Sequence, residues 1–214
     1  MKDWVLKMNK NIIKQYLSDD AIILDAGAYN GNDTVDFAMT FQKGLIYAIE
    51  PVQSIYNELI ISTNRYNNIK CFNLALDDSI GEKEIYISSG YSVQSSSLLK
   101  PKEHLIKFPD CQFNSCETVK TTTINQFVKD NNIDRIDCMW LDLQGNEYKV
   151  LSHANEILHT TKVIFAEYSL IEFYEGLTLY DEFKLFMKQL GFTEKINESV
   201  FNYLGCGNSL FVRE

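Results

Sequence analysis

A doubly wound α/β fold is predicted, with a mostly parallel sheet of about seven strands, an N-terminal helix and one antiparallel strand near the C-terminus. Three observations predict it. Continuous apolar runs recur at "AIILDAG", "LIYAIE", "IDCMWLDL" and "KVIFAEY", the pattern of strands buried on both faces. Helical patterns separate the early runs, which calls for parallel pairing through crossovers. The last two runs, "FTEKI" and "SLFVRE", lack a clear helix between them and form a hairpin that inserts an antiparallel strand.

The elements follow in order. Val5, Met8, Ile12 and Tyr16 share one face of a docking helix within residues 1–20. After the first strand, Gly27 and Gly31 form a turn, and Asn32 and Asp33 cap a helix that runs to about Phe41. The second strand ends at Glu50. Pro51 opens a helix whose stripe is Val52, Ile55, Tyr56, Leu59 and Ile60, and "IKCFNLAL" is the third strand. "EKEIYIS" adds a strand after Gly81, and residues 88–118 then lose periodicity, with six serines between Ser88 and Ser97 and prolines at 101 and 109. Such a segment reads as a substrate loop. "TTTINQFVKD" is a capped helix. Val150, Leu151, Ala154, Ile157 and Leu158 line the next helical stretch, and Phe183, Phe186, Met187 and Leu190 line a last helix stopped by Gly191.

With 214 residues, 45% of them hydrophobic, residues 1–214 are expected to form a single domain. The net charge of -9 argues against nucleic acid as a partner. Five scattered cysteines fit reduced thiols and a cytoplasmic location. The sequence shows neither a signal-peptide pattern nor an apolar run of membrane-spanning length, so no membrane insertion is expected.

The stretch "ILDAGAYNGNDT" poses the question of a ligand. A dinucleotide loop uses three glycines to cradle a pyrophosphate, whereas only Gly27 and Gly31 stand here. Asp25 would repel a phosphate, but it suits S-adenosylmethionine, whose methionine end carries an ammonium and a sulfonium. Glu50 can accept hydrogen bonds from ribose hydroxyls in either kind of cofactor. An NAD-dependent enzyme and a non-catalytic cofactor-binding module are therefore the alternatives. A phosphate-binding NTP loop is excluded by its missing motif.

A second dense stretch, "DLQGNEYKVLSHA", places Asp142 at a strand end, Gly145 in a turn and Glu147 at a helix start, so that both carboxylates are expected to face one crevice. Together, "DAGAYNGNDT", "IEP", "NLAL", "TTTINQF", "IDCMWLDLQGNEYKVL" and the terminal "GF" and "NSLFV" resemble the FkbM family of S-adenosylmethionine-dependent methyltransferases, over about residues 22–212. The resemblance implies cofactor contacts from Asp25, Gly27, Ala28, Gly31, Glu50 and Pro51, adenine-side contacts from Asn73 and Ala75, and Asp142 beside the methyl donor. It departs from the family pattern at Gln144, where Glu is common, and at His153, where Gly is often seen.

The implied activity is O-methylation of a sugar, glycan or other secondary metabolite, with S-adenosylhomocysteine as product. Asp142 is the first candidate for the base that takes the acceptor proton, and Glu167 and Tyr168 are the second. Tyr91, Ser95, Ser96, Gln144 and Glu147 are the candidates for acceptor binding. A divalent metal on Asp142 and Glu167 is left open, as is a homo-oligomer. His153 reads better as a packing or surface residue, His104 in the irregular segment is a weak candidate to reach a substrate, and Cys111 and Cys116 lack the second pair a zinc site needs.

Overall fold

Strands buried on both faces need cover on both sides, and the sequence between them supplies it. The computed structural model describes residues 10–198 and 204–214. Its main sheet contains β1 (Ile22–Ala26), β2 (Leu45–Ile49), β3 (Ile69–Phe72), β7 (Cys138–Leu141), β8 (Val163–Ser169), β9 (Phe192–Glu198) and β10 (Cys206–Arg213). Their order across the sheet is β3-β2-β1-β7-β8-β10-β9. The first five run parallel, and β10 lies antiparallel between β8 and β9, the inserted hairpin strand expected from the sequence.

Alternation along the strands sets up two cores. Leu24, Ala26, Met139, Leu141, Ile164 and Ala166 face one side, where they meet α5 (Ile124–Asp130), α6 (Glu147–Leu151), α7 (Asn155–Leu158) and α8 (Tyr180–Gln189). Ile23, Ile46, Trp140 and Phe165 face the other, under α1 (Lys10–Lys14) and α2 (Asn32–Thr40). Here the Trp140 and Phe165 rings stack 3.5 Å apart, and Lys10 Nζ lies 3.2 Å from the Trp140 ring centre. Ile13 is buried, with Ile12 and Tyr16 packed against the same core. Val5 and Met8 fall outside the described residues.

Several boundaries differ from the sequence reading. "IKCFNLAL" breaks after Phe72 because the Asn73 side chain turns back to donate to the carbonyls of Glu50 and Pro51, at 3.0 and 2.9 Å. Its last residues form β4 (Ala75–Leu76) in a second, three-stranded sheet with β5 (Gly81–Gly90) and β6 (Cys111–Thr122). Much of the segment read as irregular is thus β6 and the short α4 (Glu103–Lys107). The alternation in "CQFNSCETVKTT" is hard to see because its middle residues are polar and only its ends are buried. At α2, Gly31 is the N-cap, and Asn32 and Asp33 are the first helical residues. Finally, α3 (Gln53–Thr63) buries Leu59 and Thr63 and leaves Ile60 exposed.

Candidate active site

The parallel strands end on one side of the sheet, and the chain order reverses between β1 and β7, the place where open α/β sheets bind ligands. A cleft of about 240 Å³ opens there. One wall is the loop after β1, another the start of α3, and a third the loop after β7. The second sheet and residues 93–98 close it from above.

The loop after β1 is shaped by its neighbours. Gly27 sits at φ +82°, and a Cβ there would lie 1.9 Å from the Asp142 carbonyl oxygen, so only glycine lets the ends of β1 and β7 approach this closely. The N–H groups of Gly27 and Ala28 both donate to the Ile49 carbonyl, at 3.0 and 2.9 Å. Tyr29 is held at φ +49°, and its N–H donates to Glu50 Oε2 at 3.1 Å. The other Glu50 oxygen accepts from the Val52 N–H at 2.8 Å. Burial pushes the Glu50 carboxyl up to about 7 against the pull of those two donors.

Of the residues named from the sequence for the cofactor, Gly27, Ala28, Glu50, Pro51, Ala75 and Asp142 line the cleft. Three do not. Gly31 packs against Ser62 and Leu59 of α3. Asn73 is used up on the Glu50–Pro51 backbone. Asp25 is 1% exposed and accepts from Thr34 Oγ1 at 2.5 Å, so it ties β1 to α2 behind the cleft. Burial lifts its carboxyl to about 7.

The loop after β7 turns sharply because Gln144 and Gly145 both adopt positive φ, +51° and +99°. Asp142 is left open to the cleft, while Glu147 folds back so that Oε1 accepts from the Leu143 N–H at 2.7 Å. Glu147 is buried away from the cleft, with its carboxyl pushed up to about 8 by desolvation. The two carboxylates therefore do not face one crevice, and Glu147 closes the loop instead of lining an acceptor pocket. Gln144 does line the cleft. Its Nε2 donates to Asp142 Oδ1 at 2.7 Å and to Glu167 Oε2 at 2.9 Å. Partial desolvation by the surrounding protein lifts the Asp142 carboxyl to about 6, with the Gln144 hydrogen bond opposing the shift, and burial and the Asp142 charge hold Glu167 well above its ordinary value.

Alternation along β8 separates the remaining candidates. Glu167 projects toward Gln144, whereas Tyr168 points to the opposite face, where its ring stacks on Tyr180 at 4.1 Å and its hydroxyl donates to Asn197 Oδ1 at 3.0 Å. Tyr168 is thus remote from Asp142 in role. In the serine segment, Ser96 lines the cleft. Ser95 is buried beside Ser92 and Ser88, and Tyr91 is 70% exposed off the cleft wall. Sequence reasoning missed the hydrophobic patch of Val52, Ile55, Leu76, Ile85 and Leu98, together with Gln94. The helix stripe pointed to Val52 and Ile55, but as core residues.

Among the described residues, no Lys, Arg or His lines the cleft, and its charged groups are Asp33, Glu50 and Asp142. Lys10 stands behind this wall, 3.2 Å from Asp33 Oδ1. No cluster of three or more His, Cys, Asp or Glu suited to a metal occurs among the described residues.

Comparison with known proteins decides the family. Residues 25–194 match the methyltransferase FkbM domain. The chain belongs to the FkbM methyltransferases. It is an S-adenosylmethionine-dependent enzyme, as the family resemblance implied. A 2-O-methyltransferase, NoeI of Sinorhizobium fredii, is 27% identical over 176 residues, which cover 80% of this chain and 72% of that one. Among solved structures, Methanococcus jannaschii fibrillarin aligns with a TM-score of 0.55 at 15% identity, covering 92% of this chain and 68% of its own. The magnesium protoporphyrin IX methyltransferase of Synechocystis, solved with bound S-adenosylmethionine, aligns at 0.52 and 11% identity, covering 96% and 77%. These two likenesses establish the Rossmann-like methyltransferase fold that this FkbM chain shares.

Proposed function

We propose that this protein transfers the methyl group of S-adenosylmethionine to a hydroxyl of an uncharged, polyhydroxylated acceptor such as a sugar or glycan. The observation that carries the reading is the cleft's charge: carboxylates at the strand ends and, among the described residues, no cation on the wall. Such a cleft suits a sulfonium and an ammonium and disfavours a pyrophosphate or a phosphorylated acceptor. Similarity to a 2-O-methyltransferase supports oxygen as the acceptor atom.

The residues present fit the cofactor. Each Glu50 oxygen accepts one backbone N–H and keeps a lone pair for a ribose hydroxyl. The apolar patch of Val52, Ile55, Ala75 and Ile85 offers a bed for the adenine. Gly27 and Asp142 flank the space for the methionine end. The cofactor supplies an electrophilic methyl group on a cationic sulfur. Asp142, open to the cleft beside this space, accepts the acceptor's hydroxyl proton as the oxygen attacks, and Glu167 stands behind it. Positioning supplies much of the rate, because the attacking oxygen must be held about 3–3.5 Å from the methyl carbon. Ser96 and Gln94 offer a neutral hydroxyl and a neutral amide for the acceptor.

The chain works as one domain in this reading, and its five free thiols favour the cytoplasm. No helix among the described residues is long and apolar enough to cross a membrane. Calorimetry with S-adenosylmethionine, S-adenosylhomocysteine and NADH tests the cofactor. Transfer of a labelled methyl group to neutral oligosaccharides, set against their phosphorylated forms, tests the acceptor class. Binding of NADH alone, or preferred methylation of the phosphorylated forms, would overturn the proposal.

A further inference from the structure

Gln144 occupies a place that its sequence neighbours do not explain. Both hydrogens of its Nε2 are used, one on Asp142 and one on Glu167. Its Oε1 faces the Tyr174 hydroxyl at 3.0 Å, and that hydroxyl also lies 2.8 Å from the Ser95 carbonyl. Its own carbonyl accepts from Ser97 Oγ at 2.9 Å. Three segments, the serine loop, the loop after β7 and the stretch after β8, therefore meet on one residue. Turning the amide over would aim Oε1 at two carboxylate oxygens, so the observed orientation is the one that tolerates their charge.

We propose that Gln144 is a positioning residue whose amide ties Asp142 and Glu167 into one hydrogen-bonded pair and anchors that pair to the acceptor wall through Tyr174 and Ser97. The use of the pair on an acceptor hydroxyl rests on the function proposed above, while the tie itself does not. The groups facing the pair are acidic or neutral: Asp25 of β1, Asp33 of α2, Glu50 just after β2, Glu147 of α6, the Tyr174 phenol and the Cys206 thiol of β10. An N–H shared by two carboxylates favours their ionised forms, and it is the donor the geometry provides to both. Without it, Asp142 and Glu167 face each other's charge in poor solvent, and each holds its proton to higher pH.

The test follows the carboxyl carbons of Asp142 and Glu167 by 13C NMR as a function of pH, in protein saturated with S-adenosylhomocysteine. Signals are assigned with Asp142→Asn and Glu167→Gln. Gln144→Met keeps the bulk and removes the donor. It is expected to raise the midpoints of both groups by at least about one pH unit, a tenfold gain in proton affinity. Unchanged midpoints in a folded Gln144→Met protein would overturn the proposal. Should that variant fail to fold, Tyr174→Phe decides. It removes the hydroxyl that holds Oε1, so the Gln144 side-chain amide protons should exchange faster with water and the pair should titrate higher. Wild-type exchange and wild-type titration in Tyr174→Phe would sink the idea. Because no acceptor is used, failure to methylate hydroxyls would leave this result standing, and the reverse also holds.

Discussion

The two walls of the cleft are built on different principles. The wall proposed for the cofactor's ribose and methionine end is backbone: strand ends in register, Gly27 pressed against the Asp142 carbonyl, and Glu50 fixed by two N–H groups. The wall proposed for the acceptor is side chain: a serine network and an amide bridging two carboxylates. A backbone site tolerates almost no change at a few positions, and a side-chain site spreads tolerance over many. That contrast orders the expected effects of mutation.

Gly27→Ala should have the largest effect. The added Cβ has no room, since the obstacle is main chain on both sides, and the residue also sits at φ +82°. A loss of at least ~3 kcal/mol is expected from a clash combined with backbone strain, read as a lower urea midpoint. A Gly27→Ala protein of wild-type stability would show that the strand ends yield more readily than the contrast requires.

Next comes Asp142→Asn, which spares the backbone and removes the proposed base. Turnover should fall by roughly 10²–10⁴-fold, with S-adenosylhomocysteine affinity nearly unchanged by calorimetry. If affinity collapses while turnover of the bound complex holds, Asp142 belongs to the cofactor wall alone.

Legibility followed the same division. Apolar runs ending in Asp25, Glu50 and Asp142 announced parallel strands and the side on which a ligand sits, because burial on both faces leaves a strong mark in sequence. The cleft contacts of Gly27 and Glu50 followed from position alone. Asp25 was misjudged for a plain reason: successive strand residues point to opposite faces, and a one-residue difference decides whether a side chain enters the cleft or, as here, bonds Thr34 behind it. The same alternation separated Glu167 from Tyr168. Strand β6 was hidden because its mostly polar, half-exposed residues form no continuous apolar run. The bridging of Gln144 depends on two positive-φ residues in a row and on contacts from distant segments, which no local pattern encodes.

A milder effect concerns pH. Burial raises the carboxyls of Glu50 and Asp25 to about 7 and Glu147 to about 8, above their ordinary values near 4. The folded protein therefore binds more protons than the unfolded chain between these limits. Stability should be fullest below about pH 4 as far as these groups alone decide, and it should be lost as pH rises through 7 to 8. In practice the thermal midpoint of the unliganded protein should fall between pH 5.5 and about 8.5, and Glu147→Gln, which keeps an acceptor for the Leu143 N–H, should flatten that fall. A midpoint that rises over the same range would show that these carboxylates are ionised without penalty.

The smallest effects should lie on the acceptor wall, and a pair of substitutions there separates lining from mere proximity. Gln94 borders the cleft, while Tyr91, three residues earlier, is 70% exposed outside it. Gln94→Ala should raise the KM for the acceptor by about tenfold or less, the worth of one neutral hydrogen bond, and leave S-adenosylhomocysteine affinity alone. Tyr91→Ala should change neither quantity and should keep stability within about 0.5 kcal/mol, as a surface residue away from special contacts does. Steady-state kinetics on both variants, with calorimetry alongside, checks the pair. A KM increase confined to Tyr91→Ala would move the acceptor out of the cleft and onto the rim of the second sheet, and the serine segment would then be scaffold, not wall.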